Sequence, residues 1–127
     1  MTSVEVPYSV ACVLPSLVVI DITNEVAREV ERAEGPSGIA FVTADEDGLI
    51  RINERESGFF ADVEELLERL VALDVSGRER LLAFLLGART EQLPFADGRL
   101  CLGQWQRILL FGFSDHVAPE WNLTIVA

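Results

Sequence analysis

The chain has 127 residues, half of them apolar, and carries a formal net charge of −11 at pH 7 from 21 acidic against 10 basic side chains. That length fits one domain over residues 1–127 with a core of its own, and the charge repels polyanions, which sets nucleic acid and anionic lipid aside as partners. Cys12 and Cys101 are too far apart in sequence for a CxxC pair, no apolar run reaches the roughly 18 residues of a spanning helix, and no basic segment leads into a signal-like stretch; a cytoplasmic protein with reduced thiols and no membrane contact is expected.

In chain order, the stretch from Ser3 to Ile22 is rich in Val, Ile and Leu and is broken by Pro7 and Pro15. It reads as two strands that turn near Leu14-Pro15-Ser16. Thr23 is placed to cap a helix over Asn24 to Glu34, with Val26, Ala27, Val30 and Ala33 as its apolar stripe and Gly35-Pro36 as its stop. Gly38 to Ala44 and Leu49 to Asn53 read as the strands of a hairpin across Asp45-Glu46-Asp47-Gly48. A second helix runs from about Phe59 to Leu73, because Val63, Leu66, Leu67, Leu70 and Val71 recur at i, i+3, i+4, i+7 and i+8 and turn one face to the core.

Ser76 and Glu79 have the spacing of a capping box at the start of a short helix that ends at Gly87. Its Leu81, Leu82, Phe84, Leu85 and Leu86 surround the axis instead of forming one stripe, so the helix should be enclosed on several sides. Together with the apolar surplus, this predicts contacts between subunits. Thr90 to Phe95 and Arg99 to Leu102 pair around Ala96-Asp97-Gly98, and Trp105 to Phe113 and Trp121 to Val126 supply two more strands. Strands in adjacent pairs, outnumbering the helices, predict an α+β fold with a mainly antiparallel sheet and about three helices packed on one side.

Several groups carry possible chemistry. Asp45-Glu46-Asp47 gathers carboxylates that suit a hard divalent cation, against the plainer reading of a solvated hairpin tip. Ser114-Asp115-His116 holds the residue types of a hydrolase triad, but adjacent side chains point apart, which makes it a turn; His116 is the only histidine, so one subunit has no multi-histidine centre. Arg78 and Arg80 open the short helix at the positive end of its dipole. They need either a carboxylate such as Asp74 or Glu79 or an anionic ligand to offset that position. Trp105 and Gln106 offer an apolar face and an amide to a pocket, the alternative for the indole being the core.

Asp21-Ile22-Thr23, Ile52-Asn53-Glu54, Leu85-Leu86-Gly87, Asp97-Gly98-Arg99-Leu100, Leu102-Gly103 and Trp105-Gln106 follow one another in an order and spacing that resemble the YjbQ-like family over most of the chain. The resemblance implies a strongly curved antiparallel sheet and a homotrimer with pockets near the subunit boundaries. It also implies a secondary thiamine-phosphate synthase activity, in which a histidine-held cation supports the joining of an aminopyrimidine diphosphate to a thiazole phosphate with release of pyrophosphate. The family's histidines fall here on Asp45 and Arg80, and its acidic residue and arginine near the end are missing from Phe111 to Val117.

A guanidinium in a ligand position repels a cation. The resemblance therefore implies a degenerate homotrimeric scaffold or small-anion-binding protein, with Asp45, Asn53, Glu54, Arg80, Trp105 and Gln106 as pocket candidates and a small phosphate-bearing molecule as ligand. No cofactor is expected beyond a weakly held divalent cation. The alternative is a synthase whose metal site has been rebuilt on Asp45 and Asp47.

Overall fold

In the computed structural model, which describes residues 10–33, 35–45, 47–87, 89–114 and 119–127, the first apolar runs form β1 (Val10–Leu14) and β2 (Leu17–Asp21). Pro15 and Ser16 make the expected turn, with Leu14 paired to Leu17. β2 pairs with β7 (Gln106–Gly112), and β7 with β4 (Leu49–Glu54), giving a first sheet in the order β1-β2-β7-β4. The second sheet combines β6 (Arg99–Leu100), β5 (Thr90–Ala96), β3 (Ser37–Ala44) and β8 (Trp121–Val126) in the order β6-β5-β3-β8. All strand pairings among the described residues are antiparallel, and with three helices there the fold is α+β, as the strand pattern predicts.

The β5–β6 hairpin forms where expected, because Asp97 and Gly98 both take positive φ (54° and 73°), the requirement of a tight turn that matches strand twist. The hairpin expected between β3 and β4 does not form. Both edges of β3 are taken by β5 and β8, and β4 pairs with β7 in the other sheet. The connecting segment is tied to its surroundings instead: the amide of Ala44 donates to the carbonyl of Arg89 (2.8 Å) and that of Asp45 to the carbonyl of Glu120 (2.8 Å). A crossing between sheets lets Ala40, Val42 and Ala44 meet Ile50 in one core cluster.

The first sheet is buried on both faces. Ile50, Ile108 and Leu110 face the second sheet and the helix α1 (Thr23–Arg32), which contributes Val26 and Val30. Leu17, Val19, Leu109 and Phe111 face the other way, beneath α2 (Ser57–Leu70) and α3 (Arg78–Leu86), which lie together on that side. A strand covered twice needs apolar residues at consecutive positions. This is why β2 and β7 read Leu-Val-Val-Ile and Ile-Leu-Leu-Phe without polar alternation.

Helix ends differ most from the sequence expectations. Thr23 is inside α1 rather than at its cap, since its hydroxyl donates to Asp21 Oδ1 (2.6 Å) and accepts from the amide of Ile108 (2.8 Å). α2 starts at Ser57 because the Glu56 carboxylate accepts from the amides of Gly58 (2.9 Å) and Phe59 (2.7 Å), a negative charge on the positive end of the helix. It ends at Leu70, where Val71 turns extended. The Ser76–Glu79 capping box is absent. Gly77 caps α3 at φ 73°, outside the extended region that a box requires, and no side chain caps it. Arg78 is buried, and its Nε donates to the carbonyl of Val71 (2.9 Å), which fastens the start of α3 to the end of α2.

On α2, Phe60 and Leu67 are buried, whereas Leu66 and Leu70 of the expected core stripe are each 54% exposed. No helix among the described residues is long and apolar enough to cross a membrane.

Phe60 has no exposed surface and meets the ring of Phe111 edge-on at 5.9 Å between centroids. Phe60→Ala should therefore lower stability by about 3–5 kcal/mol, the range for truncating a buried aromatic. Urea denaturation checks this, and an unchanged midpoint would contradict a core resting on the α2–sheet contact.

Candidate functional site

The richest polar cluster lies where β2 and β4 end and β7 begins. Asp21 closes an apolar strand, and its side chain has no exposed surface. Oδ2 accepts from Arg107 Nε (2.8 Å) and from Arg55 (3.3 Å), while Oδ1 accepts from the amide (3.0 Å) and hydroxyl of Thr23. Burial on its own would raise the pKa of this carboxyl. The hydrogen bonds from Arg107 and Thr23, with the charge of Arg107, outweigh that and hold it below the usual aspartate value. Arg107 also reaches Asn24 Oδ1 (3.3 Å), and Arg55 the carbonyl of Val10 (3.2 Å).

The register between β4 and β7 places Asn53 opposite Arg107 and Glu54 opposite Gln106. Four expected site residues, Asn53, Glu54, Trp105 and Gln106, thus gather at this end of the sheet. Trp105 is 68% exposed, so it is no part of the core. Gln106 Oε1 accepts from the amide of Gly103 (2.6 Å) and closes the loop that carries the indole. Asn53 donates to the carbonyl of Glu54 (3.0 Å).

Asp45 and Arg80 stand elsewhere. Asp45 precedes the opposite end of β4, a strand of 6 residues that spans roughly 17–20 Å. Its Oδ1 accepts from Asn122 (3.4 Å). Asp47 follows in the same connection, and Glu46 lies outside the described residues, as do Asp115 and His116. Among the described residues no three His, Cys, Asp or Glu side chains gather as a metal site. Asp45 and Arg80, the positions where the resemblance implies histidines, carry a carboxylate and a guanidinium, which do not fit a histidine-held cation.

Arg80 is exposed in the first turn of α3, and Arg78 beside it bonds a carbonyl rather than Asp74 or Glu79. The start of α3 is fastened to the end of α2, whose 14 residues rise about 21 Å from the end that follows Glu54. Within one chain, Arg80 does not join Trp105 and Gln106.

Sequence reasoning did not assign the two arginines that hold Asp21. The available signal was an aspartate ending an otherwise apolar strand, since a carboxylate there needs cationic partners from neighbouring strands. Arg55 and Arg107 flank the adjacent runs.

Replacing Asp21 with Ala would leave two guanidiniums, each about three-quarters covered, facing a void. A loss of about 3–5 kcal/mol at neutral pH is expected, as for breaking a buried pair. Because the folded-state pKa is lowered, this contribution is complete above the unfolded value of about 3.9 and disappears as pH falls through the lower folded value. Urea titrations of both proteins at pH 7 and near pH 3 should show the difference narrowing on acidification; a constant difference would contradict the ion-pair account.

With this geometry in view, comparison with other proteins gives one consistent result. The family model for UPF0047 protein YjbQ-like matches residues 15–126. A UPF0047 protein of Archaeoglobus fulgidus is 36% identical over 104 residues, covering 75% of this chain and 80% of its own length. Another from Methanothermobacter thermautotrophicus is 34% identical over 99 residues, or 70% of this chain and 68% of its own. Among solved structures, a yjbq/upf0047-family protein from Clostridium acetobutylicum has a TM-score of 0.76 at 24% identity, over 87% of this chain and 92% of that one. A hypothetical protein from Aeropyrum pernix K1 gives 0.76 at 24% identity, over 91% and 96%. At that identity the structural likeness establishes the fold, and the family follows from the sequence matches: this chain belongs to the YjbQ-like UPF0047 family.

Proposed function

We propose that this family member is a homotrimeric scaffold whose clefts between subunits hold a small phosphate-bearing anion, without the histidine-metal catalysis that its resemblance implies. The carrying observation is the outer face of α3, where Phe84 is 82% exposed, Leu85 59% and Leu81 43%. Covering such side chains is worth about 1.5–3 kcal/mol each, and no other part of the described chain covers them. Arg80 stands four positions before Phe84 and shares its side of the helix. An interface that covers Phe84 therefore brings Arg80 to its edge.

A neighbouring subunit can then supply what Arg80 lacks within its own chain: Trp105 and Gln106. A guanidinium at the positive end of a helix favours phosphate over a cation. Calorimetric titration with inorganic phosphate and pyrophosphate should show saturable binding that weakens at least about tenfold in Arg80→Ala, as expected when a charged hydrogen-bonding partner is removed, with the oligomer intact. Phe84→Glu should release monomers and abolish binding. Absence of saturable binding, or an unaffected Arg80→Ala variant, would end the anion-site reading.

The second reading is a thiamine-phosphate synthase with a metal site rebuilt on carboxylates, favoured by Asp45 and Asp47 standing two positions apart in one connection. It predicts a stoichiometric divalent metal in untagged, dialysed protein by elemental mass spectrometry, lost in Asp45→Ala. The scaffold reading predicts metal-free protein and no chelator-sensitive turnover of the pyrimidine and thiazole substrates.

A further inference from the structure

Beneath α2, on the side of the first sheet away from the second, lies a half-enclosed cavity of about 240 Å³. Its floor is Leu49 and Phe111, its roof Val63, Leu66 and Leu67, and Leu86 of α3 contributes a side wall. It explains why the apolar stripe of α2 is incompletely covered: Leu66 and Leu70 border this space and remain half exposed. An enclosed apolar cavity of about 150 Å³ already accepts a benzene ring. The space here has room for one ring with a substituent or for two small fused rings.

Two polar side chains give that space a chemical preference. Strand alternation sends Arg51 and Asn53 to the same face of β4 as Leu49, and both line the cavity. Arg51 donates to the carbonyls of Ile50 (3.1 Å) and Leu86 (2.8 Å). Hydrogen bonds to a guanidinium lie in its plane, so these two hold the group in the cavity wall in an orientation compatible with stacking of an aromatic ring. Asn53 is oriented by donation to the carbonyl of Glu54 (3.0 Å), which leaves its amide oxygen as an acceptor in the wall.

We propose that this cavity binds a small uncharged aromatic molecule that carries one O–H or N–H donor, its ring stacked on Arg51 and its donor directed to Asn53 Oδ1. The site is separate from the proposed anion cleft and does not depend on it. Saturated molecules of the same size fill the volume but have no π-face to set against the guanidinium.

Indole and cyclohexanol, titrated calorimetrically into the intact assembly, test the proposal. Indole should bind at one site per chain, and cyclohexanol at least about tenfold more weakly, the difference that a desolvated cation–π contact supplies. Val63→Trp, which fills the cavity, should abolish indole binding, and Arg51→Met should weaken it about tenfold on the same grounds. Should either variant fail to fold, wild-type methyl and aromatic NMR resonances serve in its place: indole should shift those of Leu67, Phe111 and Phe113.

Saturating phosphate should leave the indole affinity unchanged. The proposal is overturned by the absence of saturable indole binding, by equal affinity for cyclohexanol, or by resonance shifts confined to other regions. Competition with phosphate would also overturn it, because the ring would then occupy the anion cleft. Release of subunits by indole would overturn it too, because a neighbouring chain would then be the natural occupant of the cavity.

Discussion

A fully covered carboxylate is the constraint on which the rest of this structure is arranged. Asp21 lies where a strand buried on both faces meets the first turn of α1, and its charge cannot stay there without several donors. Thr23 supplies two of them from the next turn of chain, Arg107 one from the neighbouring strand, and Arg55 one from the segment that leads into α2. One side chain thereby fixes how β2, α1, β7 and the start of α2 meet. Asn53, Glu54 and Gln106 are held in register beside it.

The three-layer arrangement also accounts for the composition. The first sheet must be apolar on both sides, and α2 and α3 must carry apolar residues to cover it. In a chain of 127 residues this coverage is incomplete: α3 shows Phe84 and Leu85 to solvent, and α2 overhangs a cavity. The same lack of covering material leaves both the exposed face of α3 and the cavity beneath α2, on which the two proposals rest. Surface of this kind on a small domain marks a place where something else packs.

Much of this was legible in the sequence where local chemistry decides structure. The Pro15-Ser16 turn, the Asp97-Gly98 hairpin and the existence of three helices follow from residues within a few positions of one another. Contacts distant in sequence decided the rest. Thr23 was diverted from capping by Asp21 and Ile108, the capping box was undone by the left-handed Gly77, and β3 and β4 separated because each found better partners in a different sheet. The candidate site was half legible. Motif order pointed to Asn53, Glu54, Trp105 and Gln106, which do gather, whereas it gave no sign that Arg80 and Asp45 stand apart from them, or that Arg55 and Arg107 serve Asp21.

Self-association carries the functional account, because it alone brings Arg80 to the residues that would share its ligand. Sedimentation equilibrium of the unmodified protein at micromolar concentration measures it directly. The account predicts a species of three times the 14.0 kDa chain mass, whereas a single species of 14.0 kDa over the whole range would contradict it.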